Sequence, residues 1–194
     1  MATAEKNVTG TTAGTGVSVW QIDPAHSDVE FSVKHLMVTK VKGRFSGVAG
    51  TIKLDENNPG SSSVDVTIDA TTVDTRQEQR DAHLRSADFF DVEKYATIEF
   101  HSTSVKFDGD DLELTGDLTM HGVTRPVTLT GENNGRAQDP WGNERIAFSA
   151  SAKVDRREFG LTYNQALETG GVLVGTDIKI TLEIQATRVS GDAR

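Results

Sequence analysis

The stretch DVEFSVKHLM (28–37) sets Val29, Phe31, Val33, His35 and Met37 on one side of an extended chain. Asp28, Glu30, Ser32 and Lys34 fall on the other. A two-residue period of this kind marks a strand with one dry face and one wet face. The pattern recurs along the chain. Val64, Val66 and Ile68 alternate with Asp65, Thr67 and Asp69, and Leu112, Leu114, Gly116, Leu118 and Met120 with Glu113, Thr115, Asp117 and Thr119. Ile146, Phe148, Ala150, Ala152 and Val154 repeat it, as do Ile178, Ile180, Leu182 and Ile184. With weaker runs at 17–22, 48–54, 97–107 and 126–130 the chain holds about nine candidate strands.

Composition agrees. Val (19), Ile (8) and Thr (23) make up about a quarter of the 194 residues, and these β-branched side chains favour strands. In 97–107 the apolar parity switches between Ile98, Phe100 and Val105, Phe107, which predicts a β-bulge between them. Asp108-Gly109-Asp110 predicts a tight hairpin turn after it. Residues 75–87 (TRQEQRDAHLRSA) break the rhythm and predict a surface helix, with Thr75 and Glu78 in capping-box spacing and Asp81 and Arg85 one turn apart. Leu84, Phe89 and Phe90 are expected to hold it down, and 131–143 reads as a loop. Repeated one-sided strands at short spacing predict an all-β sandwich or closed barrel.

Charge narrows the function. The net charge is −9, so phosphate backbones and anionic membrane surfaces are disfavoured as partners. No apolar run approaches the ~20 residues of a spanning helix, which argues against membrane insertion. Residues 1–16 (MATAEKNVTGTTAGTG) lack the apolar core of a secretory signal, and the expected location is the cytoplasm. The expected division is a tail at 1–16, one domain at 17–188 and a frayed end at 189–194.

No catalytic kit is legible. There is no cysteine, no G-x-S-x-G elbow and no P-loop lysine after GTTAGTG (10–16). The histidines at 26, 35, 83, 101 and 121 show no metal-ligand spacing, and no metal or cofactor is expected. His35 stands apart because its parity matches Phe31 and Val33. On the dry face, Ser102, Gly116, Ala150 and Ala152 are small where neighbours are large. They either fit the taper of a narrow barrel or leave an apolar cavity, and an eight-stranded barrel is about wide enough for one ligand.

Four stretches, HSDVEFSVKHLMVTKVKGRFSG (26–47), RDAHLRSADFFDVEKYATIEF (80–100), GDLTMHGVTRPVTL (116–129) and DRREFGLTYN with GGVLVG (155–175), resemble the YceI-like family in order and spacing. Ala96 and Tyr163 depart from the proline and tryptophan frequent there. Many members are exported, a property the resemblance does not carry to this chain. The resemblance implies an extended, lipocalin-like antiparallel barrel of about eight strands with one short helix packed outside. It also implies a polyisoprenoid lipid inside, such as a polyprenyl diphosphate or a quinone tail. By parity the wall is Val29, Phe31, Val33, Ile52, Val66, Ile68, Phe100, Leu114, Leu118, Phe148, Ala150, Ala152, Ile180 and Leu182. His35, Arg156 or Arg157 would meet a polar head at a mouth. The leading expectation is a non-enzymatic carrier or store, with a homodimer left open. The alternative is a small barrel enzyme that uses His35 or a carboxylate as acid–base on a lipid. A module that binds a protein is the third reading.

Overall fold

The computed structural model describes residues 16–168 and 170–189, so the expected tails lie outside it except for Gly16 and Val189. Eleven strands run in chain order: β1 (Val17–Ile22), β2 (Asp28–His35), β3 (Thr39–Phe45), β4 (Val48–Asp55), β5 (Ser63–Asp69), β6 (Val73–Asp74), β7 (Thr97–Asp108), β8 (Asp111–Met120), β9 (Val123–Gln138), β10 (Glu144–Asp155) and β11 (Val174–Arg188). One α-helix, α1 (Glu78–Arg85), interrupts them. The sheet order is β1-β4-β5-β7-β8-β9-β10-β11, and β11 pairs back to β1 to close an eight-stranded antiparallel barrel. The expected all-β barrel is therefore the observed fold.

β11 spans both ends. Its last residues pair with β1 (Trp20 opposite Arg188, Ile22 opposite Ala186), and its earlier residues pair with β2 (Leu182 opposite Val29, Val174 opposite His35). β1 and β2 are thus one strand broken at Pro24–His26, where the Asp23 side chain accepts from Ala25 N at 3.0 Å. Ser27 fills the gap in the ladder: its hydroxyl donates to Gln185 O (3.2 Å) and accepts from Gln185 N (3.1 Å). β3 pairs β2 on one side, but beyond Arg44 and Phe45, which pair β6, its other edge has no strand partner among the described residues. From the segment that follows β6, Thr75 lies beside Gly43 and Phe90 packs on Phe45.

Both devices expected in β7 and β8 are present. The register shifts between Ser102 and Ser104, so one extra residue keeps Ile98, Phe100, Val105 and Phe107 all inside. Asp108 opposes Asp111 across a two-residue turn in which Gly109 takes φ +62°, a conformation that favours glycine.

Three local expectations need correction. β9 continues to Gln138, so only 139–143 is a hairpin loop. Asn134 bulges, Gly135 takes φ +96°, and pairing with β10 carries a sequence poor in strand formers. The helix is shorter than 75–87. Gln77 caps it by accepting from Arg80 N, whereas Thr75 is drawn away to Asp81, donating from its hydroxyl (2.5 Å) and backbone (2.8 Å). The pairing of Asp81 with Arg85 does not form. Asp81 is buried under Thr75, and Arg85 donates to Thr71 O and Val73 O (both 2.7 Å), tying the helix to β6. The structure also adds β3 to the strands legible in the sequence. Its inward Val41, Gly43 and Phe45 are masked there by Lys40, Lys42 and Arg44 between them.

Candidate functional site

An internal lumen of about 230 Å³ runs inside the barrel. Its lining extends along β8 from Leu112 to Met120, roughly 20 Å of barrel axis at a rise of about 3.3 Å per residue and a usual strand tilt. That volume over that length makes a tube. Thirteen of the fifteen predicted residues line it. The surface it offers a ligand is carbon throughout.

His35 and Ala152 do not line the tube. His35 sits at the last rung of β2, opposite Val174 and Thr39, where the strand ends and the chain turns. Ala152 lies past the last rung that β10 shares with β9 and borders an outer groove with Ser151 and Lys153. The small residues also divide. Only Ala150 faces the lumen. A Cβ on Gly116 would come within 2.4 Å of the Phe100 ring, so Phe100 already fills that vacancy. Ser102 is used by the wall, where its hydroxyl accepts from Val64 N at 2.8 Å.

Residues outside the predicted set complete the tube. Phe45 enters from β3. Leu84, Phe89 and Phe90 enter from the helical excursion, which is thus part of the lining and not merely packed outside. Leu161 and Val174 come from the segment between β10 and β11 and its junction with β11. Phe90 meets Phe45 edge-on, ring centroids 5.6 Å apart. Phe89 and His83 meet Tyr163 at 5.2 and 4.8 Å, joining the two covering segments. Phe89-Phe90 is the chain's only adjacent aromatic pair, a signal for anchors beneath a helix that buries little of its own.

Neither arginine offers the tube a free charge. Arg156 is buried, and its guanidinium donates to Leu161 O (2.5 Å), Gly175 O (2.9 Å) and Val174 O (3.3 Å). Burial pushes its pKa below the ordinary arginine value. Its donors staple the covering segment to the start of β11. Arg157 is turned to Asp155, with Nη2 2.5 Å from Oδ2; that contact and the Arg157 backbone N–H hold the Asp155 carboxyl at about 2. Among the described residues no three His, Cys, Asp or Glu side chains gather as a metal site. No described helix is long and apolar enough to cross a membrane.

The far end is plugged. Trp20 is fully buried and Nε1 donates to Ser18 Oγ at 2.8 Å. Arg136 and Arg188 lie over its ring at 5.2 and 5.9 Å, and pair with Glu56 (2.6 Å) and Glu144 (2.5 Å).

A closed antiparallel barrel around an apolar tube, with one short helix on its flank, is a lipocalin-like barrel. The family is more specific than the fold: the YceI-like domain matches residues 20–186, and the chain belongs to the YceI-like family. It is 46% identical to Protein YceI of Escherichia coli O17:K52:H18 over 152 residues, 77% of this chain and 80% of that one. Identity to Protein YceI of Salmonella newport is 43% over 154 residues, covering 78% and 81%. Among solved structures, a mutant Campylobacter jejuni YCEI protein with a monobromobimane guest superposes with TM-score 0.69 at 32% identity, over 81% of this chain and 90% of that one. Burkholderia cenocepacia BcnA gives TM-score 0.73 at 23% identity, over 86% and 99%. A domain from Saccharophagus degradans, described as polyisoprenoid-binding and implicated in plant cell wall breakdown, gives 0.64 at 14% identity, over 88% and 98%. At those last two identities the likeness is one of fold.

Proposed function

We propose that the chain binds one long isoprenoid lipid in the barrel and carries or stores it without chemistry. The observation that carries this reading is the narrow lumen whose exposed surface is all carbon. Such a tube recognises a chain and leaves a polar head, diphosphate or quinone ring, outside it. Burial of roughly 500 Å² of ligand at about 25 cal/mol per Å² contributes ~12 kcal/mol before ordering costs. Losses of motion remove half or more of that, which leaves micromolar or tighter binding. The Saccharophagus neighbour supports the ligand class through its description. The enzyme alternative needs His35 or a carboxylate on the lumen: His35 lies off it, and Glu30, the one acidic residue in the lining, is solvent-exposed and presents no polar atom to the tube.

The test is organic extraction of the purified protein followed by mass spectrometry. A prenyl lipid near one per chain is expected. An extract free of prenyl lipid, from protein that also fails to take up an added prenyl diphosphate, would sink the reading.

A further inference from the structure

The turn between β2 and β3 puts Leu36, Met37 and Val38 side by side in water, 42, 52 and 82% exposed. Leu36 and Met37 hold φ of 52° and 63°, a region that residues with side chains enter at a cost. The turn is nonetheless anchored: Leu36 N donates to Leu173 O (2.9 Å), and Thr39 Oγ1 to His35 O (3.3 Å). A strained, anchored turn that displays three consecutive aliphatic residues gains nothing for the fold of this chain.

The strands behind the turn carry an unusual charge pattern. Register places Lys153, Lys179, Ser32 and Lys42 in one row across β10, β11, β2 and β3, with Lys34 opposite Lys40 nearer the tip. Like charges directly opposed across a ladder are destabilising. Five of the chain's nine lysines stand here although the net charge is −9. On the tip side of the row stand Asp177 and Asp155, engaged by Lys153 (2.6 Å) and Arg157 (2.5 Å); on its other side Glu30 stands opposite Arg44. Among the described residues no carboxylate lies within 4 Å of Lys34, Lys40, Lys42 or Lys179.

We propose that the β2–β3 hairpin docks the barrel on an anionic lipid bilayer, with Leu36, Met37 and Val38 in the interface and the lysines on the head groups. Aliphatic side chains with lysines on the sheet face behind them match a surface whose interior is hydrocarbon and whose rim is negative. The net charge of −9 opposes approach to such a surface, so a docking face must carry local positive charge, as this one does. The hairpin stands at the end of the tube opposite Trp20, beside the segment that ends at Leu173. Docking there brings the covered end of the tube to the bilayer. That use of the surface rests on the lipid-binding reading; the surface itself does not.

The experiment is flotation of the full chain with vesicles of phosphatidylcholine alone or with about a third phosphatidylglycerol. Binding to the anionic vesicles alone, released by high salt, is expected. Each lysine contributes about five-fold in affinity, so Lys34→Gln with Lys40→Gln should weaken binding about twenty-five-fold. Met37→Ser with Val38→Ser should weaken it as clearly and leave the fold, read by circular dichroism, unchanged. Wild type that floats with neither vesicle, or variants that float like wild type, would overturn the proposal. So would loss of the surface into a dimer or an acidic protein partner. Prenyl loading of both double variants, read by native mass spectrometry, is expected to equal wild type. A chain that loads prenyl lipid but never floats refutes docking alone, and one that floats but never loads refutes the lipid-carrier reading alone.

Discussion

The two ends of this barrel are built on opposite terms. At one, Trp20, Ile146 and Ala186 are sealed to within about 1% exposure, and Arg136, Arg188 and Arg145 each meet a carboxylate. At the other, aliphatic side chains stand in water, lysines face lysines, and two covering segments meet through the rings of His83, Phe89 and Tyr163. The first end satisfies folding; the second tolerates features that folding disfavours. Low local stability and unpaired charge belong where a protein opens or meets a partner. The tube joins the two, closed by packing at one end and by the two segments that carry Phe89 and Tyr163 at the other.

The strongest way to break that contrast is to remove the plug. Trp20→Ala should cost ~3–5 kcal/mol, a large share of the stability of a domain this size. Val38→Ala, at the other end, should change stability by no more than ~0.5 kcal/mol. Urea unfolding of the two variants measures both. Similar losses would mean that the ends are not differently built.

The tube between them gives the next largest effect. Ala150→Phe should fill it and weaken long prenyl chains more than short ones, with ~1–3 kcal/mol lost to overpacking. For wild type, affinity should climb with each added prenyl unit until the tube is full, since each buried CH₂ is worth up to ~0.8 kcal/mol. Ala152→Phe, off the lumen, should leave the series unchanged. Titration of a prenyl series against the three proteins decides it, and flat affinity across chain lengths would break the tube reading.

The same contrast explains what the sequence disclosed. Strands of the closed wall announce themselves, because Leu114, Leu118, Phe148 and Ile180 must point inward at every second residue, and a bulge leaves its trace as a switch of parity at Ser102–Ser104. The covered end follows no such period. Phe45 lies in a strand whose outer face is cationic, and Leu84, Phe89 and Phe90 reach the lumen from a helix and the turn after it. Leu161 and Val174 arrive from irregular chain and its junction with β11. His35 lies off the lumen for the complementary reason: parity assigns a side, but only the strand's end, at Leu36 with φ 52°, says whether that side still faces a lumen. Contacts made across distant parts of the chain carry no local signature.

A smaller effect has the opposite sign to most substitutions. Lys40→Gln removes the charge opposite Lys34 and should raise stability by ~0.2–1 kcal/mol. Arg188→Gln at the plugged end loses the pair with Glu144 and the stack on Trp20, and should lower it. Opposite signs in thermal melts would sharpen the comparison; equal signs would blunt it.

The finest difference between the ends is in acid. Asp139 accepts from the Asn143 side chain (3.0 Å), from the backbone of Asn143 (2.9 Å) and Trp141 (3.0 Å), and from Arg145 (2.9 Å). These donors, Asn143 foremost, hold its carboxyl at about 2, below the usual 3.8. Arg145 is shared with Asp23, whose carboxyl it also lowers. A depressed carboxyl stabilises the folded chain fully above its unfolded value, and that contribution is lost as pH falls through the folded one. The 139–143 hairpin should therefore stay ordered at pH 4 and loosen as pH approaches about 2. The Leu36 and Val38 amides donate to the carbonyls of Leu173 and His35, which do not titrate. In an NMR titration the Trp141 and Asn143 amide shifts should move with a midpoint near 2, while those of Leu36 and Val38 stay flat. A Trp141 midpoint near 3.8 would mean that the cluster at the plugged end holds its charges no more firmly than water does.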